Sequence, residues 1–149
     1  MSIFSIATSG LSAASLRVNV AASNIANVRT TGPLPASGGS ATPAGAGSSS
    51  TSSTYPAAYV PLRVDQVDQS NGSMPGGTIA AVSTVSPSYI AQSDPGAPFA
   101  NQDGLVAAPN VDIAREFVEL AAAKYSFVAN AKVIQAYSET TESLLDITT

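Results

Sequence analysis

The chain has 149 residues, of which 44% are hydrophobic and 6% aromatic, and its formal net charge at pH 7 is −4. Charged residues make up 11%, against about 25% in an average soluble domain, which favours a surface that packs against copies or partners. Lys and Arg total 6 and form no cluster, while Cys and His are absent. This composition argues against a nucleic-acid surface and excludes a disulfide framework, a thiolate metal site and a histidine general base.

The first predicted element is a core helix at residues 1–30. Its apolar residues follow a heptad pattern from Ile3 to Val28, which is the spacing of a coiled-coil or bundle seam. A second apolar stripe lies on a different side of this helix and contains Ile6, Ala13, Leu16 and Val20. A helix that is apolar on two sides is usually buried on two sides. We therefore expect another helix of the chain to cover one side and a neighbouring subunit to cover the other.

Two segments of different character follow. Residues 31–54 consist of Gly, Ser, Thr, Ala and Pro apart from Leu34, which predicts a flexible loop, either a passive linker or a segment that orders against a neighbour. Residues 55–108 are predicted to hold a small β element, with strands at Tyr59–Val64 and Thr78–Val85 and a loop from Ser86 to Ala108. So small a sheet is not stable alone, so we expect it to pack against the helices.

The last predicted element is a second core helix at residues 109–149. It runs from Asn110 to Asp146 with Asn110 as its N-cap, and at 1.5 Å per residue it would be about 55 Å long. A helix of this length needs a partner, and the N-terminal helix is available. The predicted fold is mainly α, with paired long N- and C-terminal helices in a coiled-coil-like core. A small β excursion and a flexible Gly/Ser/Pro-rich loop lie between them.

Candidate catalytic and metal-binding groups are few. Asn101-Gln102-Asp103-Gly104 has the composition of a calcium loop but lacks its Glu, since Asn110 stands six residues after the Gly, so a turn is the sufficient explanation. Glu139, Glu142 and Asp146 are spaced as a solvated helix face, and the glycines follow no phosphate-loop pattern. The sequence therefore predicts no enzyme activity, no cofactor and no catalytic or metal site.

Both ends of the chain carry motifs of a known family. Ser9-Gly10-Leu11-Ser12-Ala13, and the run from Asn19 through Ser23-Asn24-Ile25-Ala26-Asn27 to Gly32, resemble the N-terminal signature of bacterial flagellar rod and hook proteins. The segment Asp94–Asp112 resembles the loop before the last helix in the short proximal-rod proteins of the FlgC type. Ala129-Asn130-Ala131-Lys132-Val133-Ile134 is similar to the C-terminal helix of that family.

The resemblance implies a structural subunit of the flagellar rod, the drive shaft of the basal body, which polymerises helically, transmits torque and encloses the export channel. The implied partners are copies of the chain, other rod proteins, the surrounding basal-body rings and the flagellar type III export apparatus. The implied location is the periplasmic part of the basal body. The resemblance also implies export without a cleaved signal peptide. The first positive side chain is Arg17, so the basic region of a secretory signal is not expected. No run of about 18 apolar residues occurs, so membrane insertion is not expected either.

The hypothetical contact residues follow from the heptads and the resemblance. We expect a seam between helices or subunits, in which Asn24 and Asn27 either hydrogen-bond between subunits or are exposed to solvent. The seam residues are Leu11, Val18, Asn24, Ile25, Asn27, Phe117, Leu120, Phe127, Asn130 and Ile134. The alternative function is a secreted type III effector or extracellular binding module, which explains the absent signal peptide but not the motifs at both ends. A small acid-dependent hydrolase is disfavoured because no carboxylate pair faces a cleft.

Overall fold

The computed structural model describes residues 2–35, 55–69 and 76–147. Helix α1 (Ile3–Asn27) is followed by strands β1 (Leu62–Asp68), β2 (Thr78–Thr84), β3 (Tyr89–Ser93) and β4 (Leu105–Pro109), and by helix α2 (Ile113–Asp146). The two helices pack against each other, and the strands form two small antiparallel sheets. The fold is thus mainly α with a β excursion between long terminal helices, as predicted. Most of the predicted Gly/Ser/Pro-rich loop lies outside the described residues.

Helix α1 is buried along two of its sides. Ser2 caps it, since the Ser2 Oγ accepts from the amide of Ser5 at 3.3 Å. The buried residues are mostly small, which lets neighbouring backbone come close; they are Ala7, Ala13, Ala14, Val20, Ala21 and Asn24. Helix α2 covers one side, and the β1–β2 hairpin covers the other.

The hairpin corrects one expectation about α1. Of the second apolar stripe, Ala13 and Val20 are buried inside this same chain and need no neighbouring subunit to cover them, whereas Ile6 is 39% exposed. The hairpin is held to the helix at its far end, where the Thr78 amide donates to Ser9 Oγ at 3.1 Å. The prediction that the small sheet packs against a helix is confirmed for β1 and β2.

The second sheet corrects the predicted loop at residues 86–108. Strands β3 and β4 pair in antiparallel register from Tyr89 opposite Pro109 to Ser93 opposite Leu105. The pairing extends to Gly32, which exchanges two backbone hydrogen bonds with Ala107 at 3.0 and 2.9 Å. The sequence concealed these strands because each has five residues and β4 is a buried run without alternation, rich in alanine, a poor strand former.

Helix α2 begins three residues later than predicted. Asp112 is its N-cap, with Oδ1 accepting from the amides of Ala114 and Arg115 at 2.9 and 3.3 Å. Asn110 is instead engaged with the approach to β3, since its Nδ2 donates to the Pro87 carbonyl at 2.9 Å. Pro109, the residue before Asn110, is still part of β4. The chain therefore uses residues 110–112 to turn from the strand into the helix.

Candidate functional site

The geometry of the helix pair follows from three contacts between α1 and α2. Asn24 Nδ2 donates to Glu116 Oε1 at 2.9 Å, and Arg17 Nη2 donates to Glu119 Oε2 at 2.6 Å. At Gly10 the helices come so close that an added Cβ would lie 2.5 Å from the Oδ1 of Asn130. Residue numbers rise along α1 as they fall along α2, so the helices are antiparallel. In this register roughly the last nine residues of α2, about 14 Å, extend beyond the start of α1.

Asn24 joins three parts of the fold. Its side chain is 1% exposed, and Nδ2 donates both to Glu116 and to the Leu62 carbonyl at 2.8 Å. Its Oδ1 accepts from the Leu62 amide and from the Tyr59 hydroxyl, each at 3.1 Å. An asparagine offers two donors and one acceptor oxygen with two lone pairs, so every hydrogen-bonding position is used within the chain. We call Asn24, Tyr59, Leu62 and Glu116 the Asn24 junction.

A polar cleft of about 400 Å³ lies beside the junction, between α1, β1 and the start of α2. The Arg17–Glu119 ion pair crosses it, and Arg63, Asp65 and Arg115 contribute further charges of both signs. Within the described residues, no group of three acidic side chains is placed to hold a metal ion. The Asn101 segment is a turn in which Oδ1 accepts from the amides of Asp103 and Leu105. The Arg17–Glu119 pair joins α1 to α2, and the Arg63–Asp65 pair lies within β1.

The hypothetical seam residues divide into two groups. Leu11, Val18 and Ile25 on α1, with Leu120, Asn130 and Ile134 on α2, are half-buried along the helix pair. Phe117 and Phe127 are 58% and 44% exposed; Phe127 borders a shallow depression with Leu11 and Ser12, whereas Phe117 points away from α1. Asn27 is half-buried and its Nδ2 donates to the Ser23 carbonyl at 2.9 Å.

Sequence reasoning missed the closest contacts between the helices. The heptad pattern of the first helix includes Ala7, Ala14 and Ala21, but the predicted seam named larger residues. The closest approach is at Gly10, and Ala14, Ala21 and Ala123 are buried. A signal for them exists in the sequence, because Ala7, Ala14 and Ala21 recur every seven residues. Glu116, the polar partner of Asn24, had no such signal.

The side of α2 that points away from α1 is apolar and exposed. Phe117 is 58% exposed, Val118 67%, Tyr125 75% and Val128 47%, and at 100° per residue they share one side of the helix. We call these four residues the outer face of α2. Among the described residues, no helix is long and apolar enough to cross a membrane. Contiguous exposed apolar residues of this kind are typical of surfaces that associate with other chains.

Comparison with known proteins decides the family. The model described as "Flagella basal body rod protein" matches residues 4–33, and the model described as "Flagellar basal body rod FlgEFG protein C-terminal" matches residues 102–147. The flagellar basal-body rod protein FlgC of Salmonella typhimurium is 36% identical over 137 residues, covering 90% of this chain and 87% of that protein. The chain belongs to the FlgC family of flagellar basal-body rod proteins.

Other FlgC proteins align with this chain over a similar share of its length. The protein of Yersinia enterocolitica is 35% identical over 148 residues, covering 97% of this chain and 92% of the relative. That of Agrobacterium fabrum is 27% identical over 142 residues, covering 95% and 90%. The two family models coincide with α1 and with β4–α2. The predicted resemblance to flagellar rod proteins is therefore confirmed, and FlgC proteins are structural components of the basal-body rod.

Proposed function

We propose that this FlgC-family chain polymerises helically with copies of itself and with other rod proteins, transmits torque and encloses the export channel. The single observation that carries the proposal is the outer face of α2, which the described chain leaves uncovered. In a helical polymer a neighbouring subunit buries such a face, and the helices of adjacent subunits then pack in a coiled-coil-like manner.

The division of the chain supports a tubular arrangement. Segments 1–30 and 109–149 supply the helices of the core, and residues 55–108 lie outside it. The family models match the helical ends and leave residues 34–101 unmatched, which is the distribution expected when the ends make the shared tube. The same proposal places the subunit in the periplasmic part of the basal body, inside the surrounding rings, after uncleaved export by the type III apparatus.

The hypothetical seam becomes more specific in this arrangement. Phe117 and Phe127 are exposed enough to contact another subunit, and we assign them to the intersubunit surface. Asn27 keeps one amide hydrogen that makes no further hydrogen bond among the described residues, so it can donate to a neighbour. The hydrogen-bonding positions of Asn24 are all used inside the chain.

The experiment compares two Val→Asp variants in a strain whose own copy of the gene is deleted. Val118→Asp places a carboxylate on the outer face of α2, and burial of that charge in an interface has a large desolvation cost. The matched control is Val67→Asp, because Val67 is 56% exposed on β1, in the β excursion.

The measurements are swimming in soft agar and the amount of each variant in purified basal bodies. We expect Val118→Asp to be produced but absent from the rod, with motility lost, and Val67→Asp to retain both. Normal incorporation and swimming with Val118→Asp would show that the outer face of α2 is not an intersubunit surface.

A further inference from the structure

The interface between α1 and α2 is lined by small side chains. Its α1 side presents Ala7, Gly10, Ala14 and Ala21, and its α2 side is buried most deeply at Ala123. Alanines repeated every seven residues offer the same surface after a shift of one heptad, about 10 Å along the axis. Side chains of this kind allow close packing but do not distinguish one register from another.

Few features of the interface depend on register. The Arg17–Glu119 pair is partly exposed, with Glu119 47% accessible, and exposed ion pairs contribute little. The notch at Gly10 accepts the side chain of Asn130, whose Nδ2 donates to the Ser126 carbonyl of its own helix and not to α1. The Asn24 junction differs from both, because Asn24 is buried and its bond to Glu116 reaches α2, while its other three hydrogen bonds hold it to Leu62 and Tyr59.

We infer that Asn24 is the residue that fixes the register of α2 along α1, and with it the surface that the subunit presents for assembly. The bond to Glu116 sets the axial position of α2, while the two bonds to Leu62 fix α1 to strand β1. A buried asparagine that costs stability but specifies register is an established device in helix pairs. Here it would also determine how far α2 extends beyond α1 and where Phe117 and Tyr125 lie relative to the next subunit.

The inference rests on the proposed function only for its consequence in assembly, since the register itself can be measured in the chain. The protein has no Cys, so introduced cysteine pairs report contacts without background. A Cβ at Gly10 would lie 2.7 Å from Asn130 Cγ, so the two Cβ atoms are at most about 4.2 Å apart, which suits a disulfide. Gly10→Cys with Asn130→Cys is therefore the in-register pair.

Two further pairs report a shift by one heptad in either direction. They combine Gly10→Cys with Ala123→Cys or with Tyr137→Cys, each seven residues from Asn130. Both pairs also carry Asn130→Ala, because a Cβ at Gly10 would otherwise lie 2.5 Å from Asn130 Oδ1. Each pair is placed in the full chain with Asn24 unchanged, with Asn24→Leu, and with Asn19→Leu as the matched control, because Asn19 is exposed on α1. Cells are treated with a mild oxidant, and the cross-link is measured on a non-reducing gel.

With Asn24 unchanged, or with Asn19→Leu, we expect the in-register cross-link to dominate. With Asn24→Leu we expect the ratio of in-register to shifted cross-links to fall about tenfold, the population change produced by losing one ordinary hydrogen bond. An unchanged ratio in Asn24→Leu would overturn the inference, as would shifted cross-links in the parent chain.

A second set of variants covers the case in which Asn24→Leu fails to fold. Asn24→Asp keeps the shape of the side chain but removes both donors and faces the carboxylate of Glu116. Adding Glu116→Gln supplies a donor from the other side, so the double variant should recover the in-register cross-link that Asn24→Asp loses. Failure of the double variant to recover it, or an undiminished cross-link in Asn24→Asp, contradicts the assignment.

The same strains separate the two proposals. The cross-links are measured in whole cells, whereas incorporation is measured in purified basal bodies. If the parent cysteine pair cross-links in register and Asn24→Leu lowers the ratio, but the parent chain is absent from the rod, the proposed function fails and the register inference stands. If the chain enters the rod but its cross-links are shifted, the register inference fails and the proposed function stands.

Discussion

Helices α1 and α2 are both long and apolar, yet they are buried to different extents within the chain. Of the 25 residues of α1, six are buried, whereas of the 34 residues of α2 only Ala123 is buried. The reason is position: α1 lies between α2 and the β1–β2 hairpin, and α2 contacts α1 on one side. Apart from Ile3, Phe4 and Ile6 near its start, α1 is thus covered by its own chain, whereas much of the apolar surface of α2 is exposed.

The largest expected effect on stability comes from the closest approach of the two helices. Gly10→Leu should lower the free energy of unfolding by about 1–3 kcal/mol, because the new side chain collides with Asn130. The direction of this change is informative, because replacing a glycine in the interior of a helix otherwise raises the free energy of unfolding by up to about 1 kcal/mol. Urea unfolding measures the change. Adding Asn130→Ala should recover most of the loss, and a stabilised Gly10→Leu would mean that the helices are further apart.

A smaller effect is expected outside the helix pair, at the turn before β4. Gly104 has φ +72°, a left-handed conformation that disfavours any other residue. Gly104→Ala should cost about 1 kcal/mol. Gly96→Ala is the matched control, because Gly96 has no such φ and its added Cβ would meet only Asp94 Oδ1 at 3.7 Å. Equal stability of the two variants in urea would show that the turn is not constrained.

A still smaller effect is expected from the ion pair between the helices. Arg17→Met removes the bond to Glu119 while keeping much of the apolar stem, and the partly exposed carboxylate is screened by solvent. We expect a loss of about 0.5 kcal/mol that shrinks as salt is raised from 0.05 to 0.5 M, both concentrations chosen so that the Debye length falls from roughly 14 to roughly 4 Å. A loss of stability that does not change with salt would indicate that Arg17 stabilises the helix pair through the packing of its apolar stem instead.

The sequence was sufficient to predict the two helices because their periodic patterns extend over many turns. The heptads of Ile3–Val28 and the unbroken run to Asp146 predicted both elements to within three residues. The small sheet packed on a helix was also predicted, since β-branched residues concentrate near β1 and β2. Strands β3 and β4 were missed because five-residue strands leave no periodic signal.

The contacts between elements were harder to predict than the elements. Large residues such as Phe117 were expected in the seam, but alanine and glycine permit a shorter distance between the helix axes, and Phe117 is exposed. The Asn24 junction depends on Leu62 and Glu116, which are 38 and 92 residues away along the chain. Only the folded chain brings these groups together, so the motif revealed Asn24 but not its partners.

The smallest effect on the isolated subunit should accompany a severe effect on assembly. Tyr125 is 75% exposed on the outer face of α2, so Tyr125→Lys should change the free energy of unfolding by no more than about 0.5 kcal/mol. In the rod the same lysine would be buried against a neighbour, and incorporation into basal bodies should fail. Ile90→Lys is the control, since Ile90 is 51% exposed on β3, outside both helices. If Tyr125→Lys unfolds the subunit, α2 is stabilised by its own chain more than its exposure indicates; if it assembles normally, the uncovered side of α2 faces solvent in the rod as well.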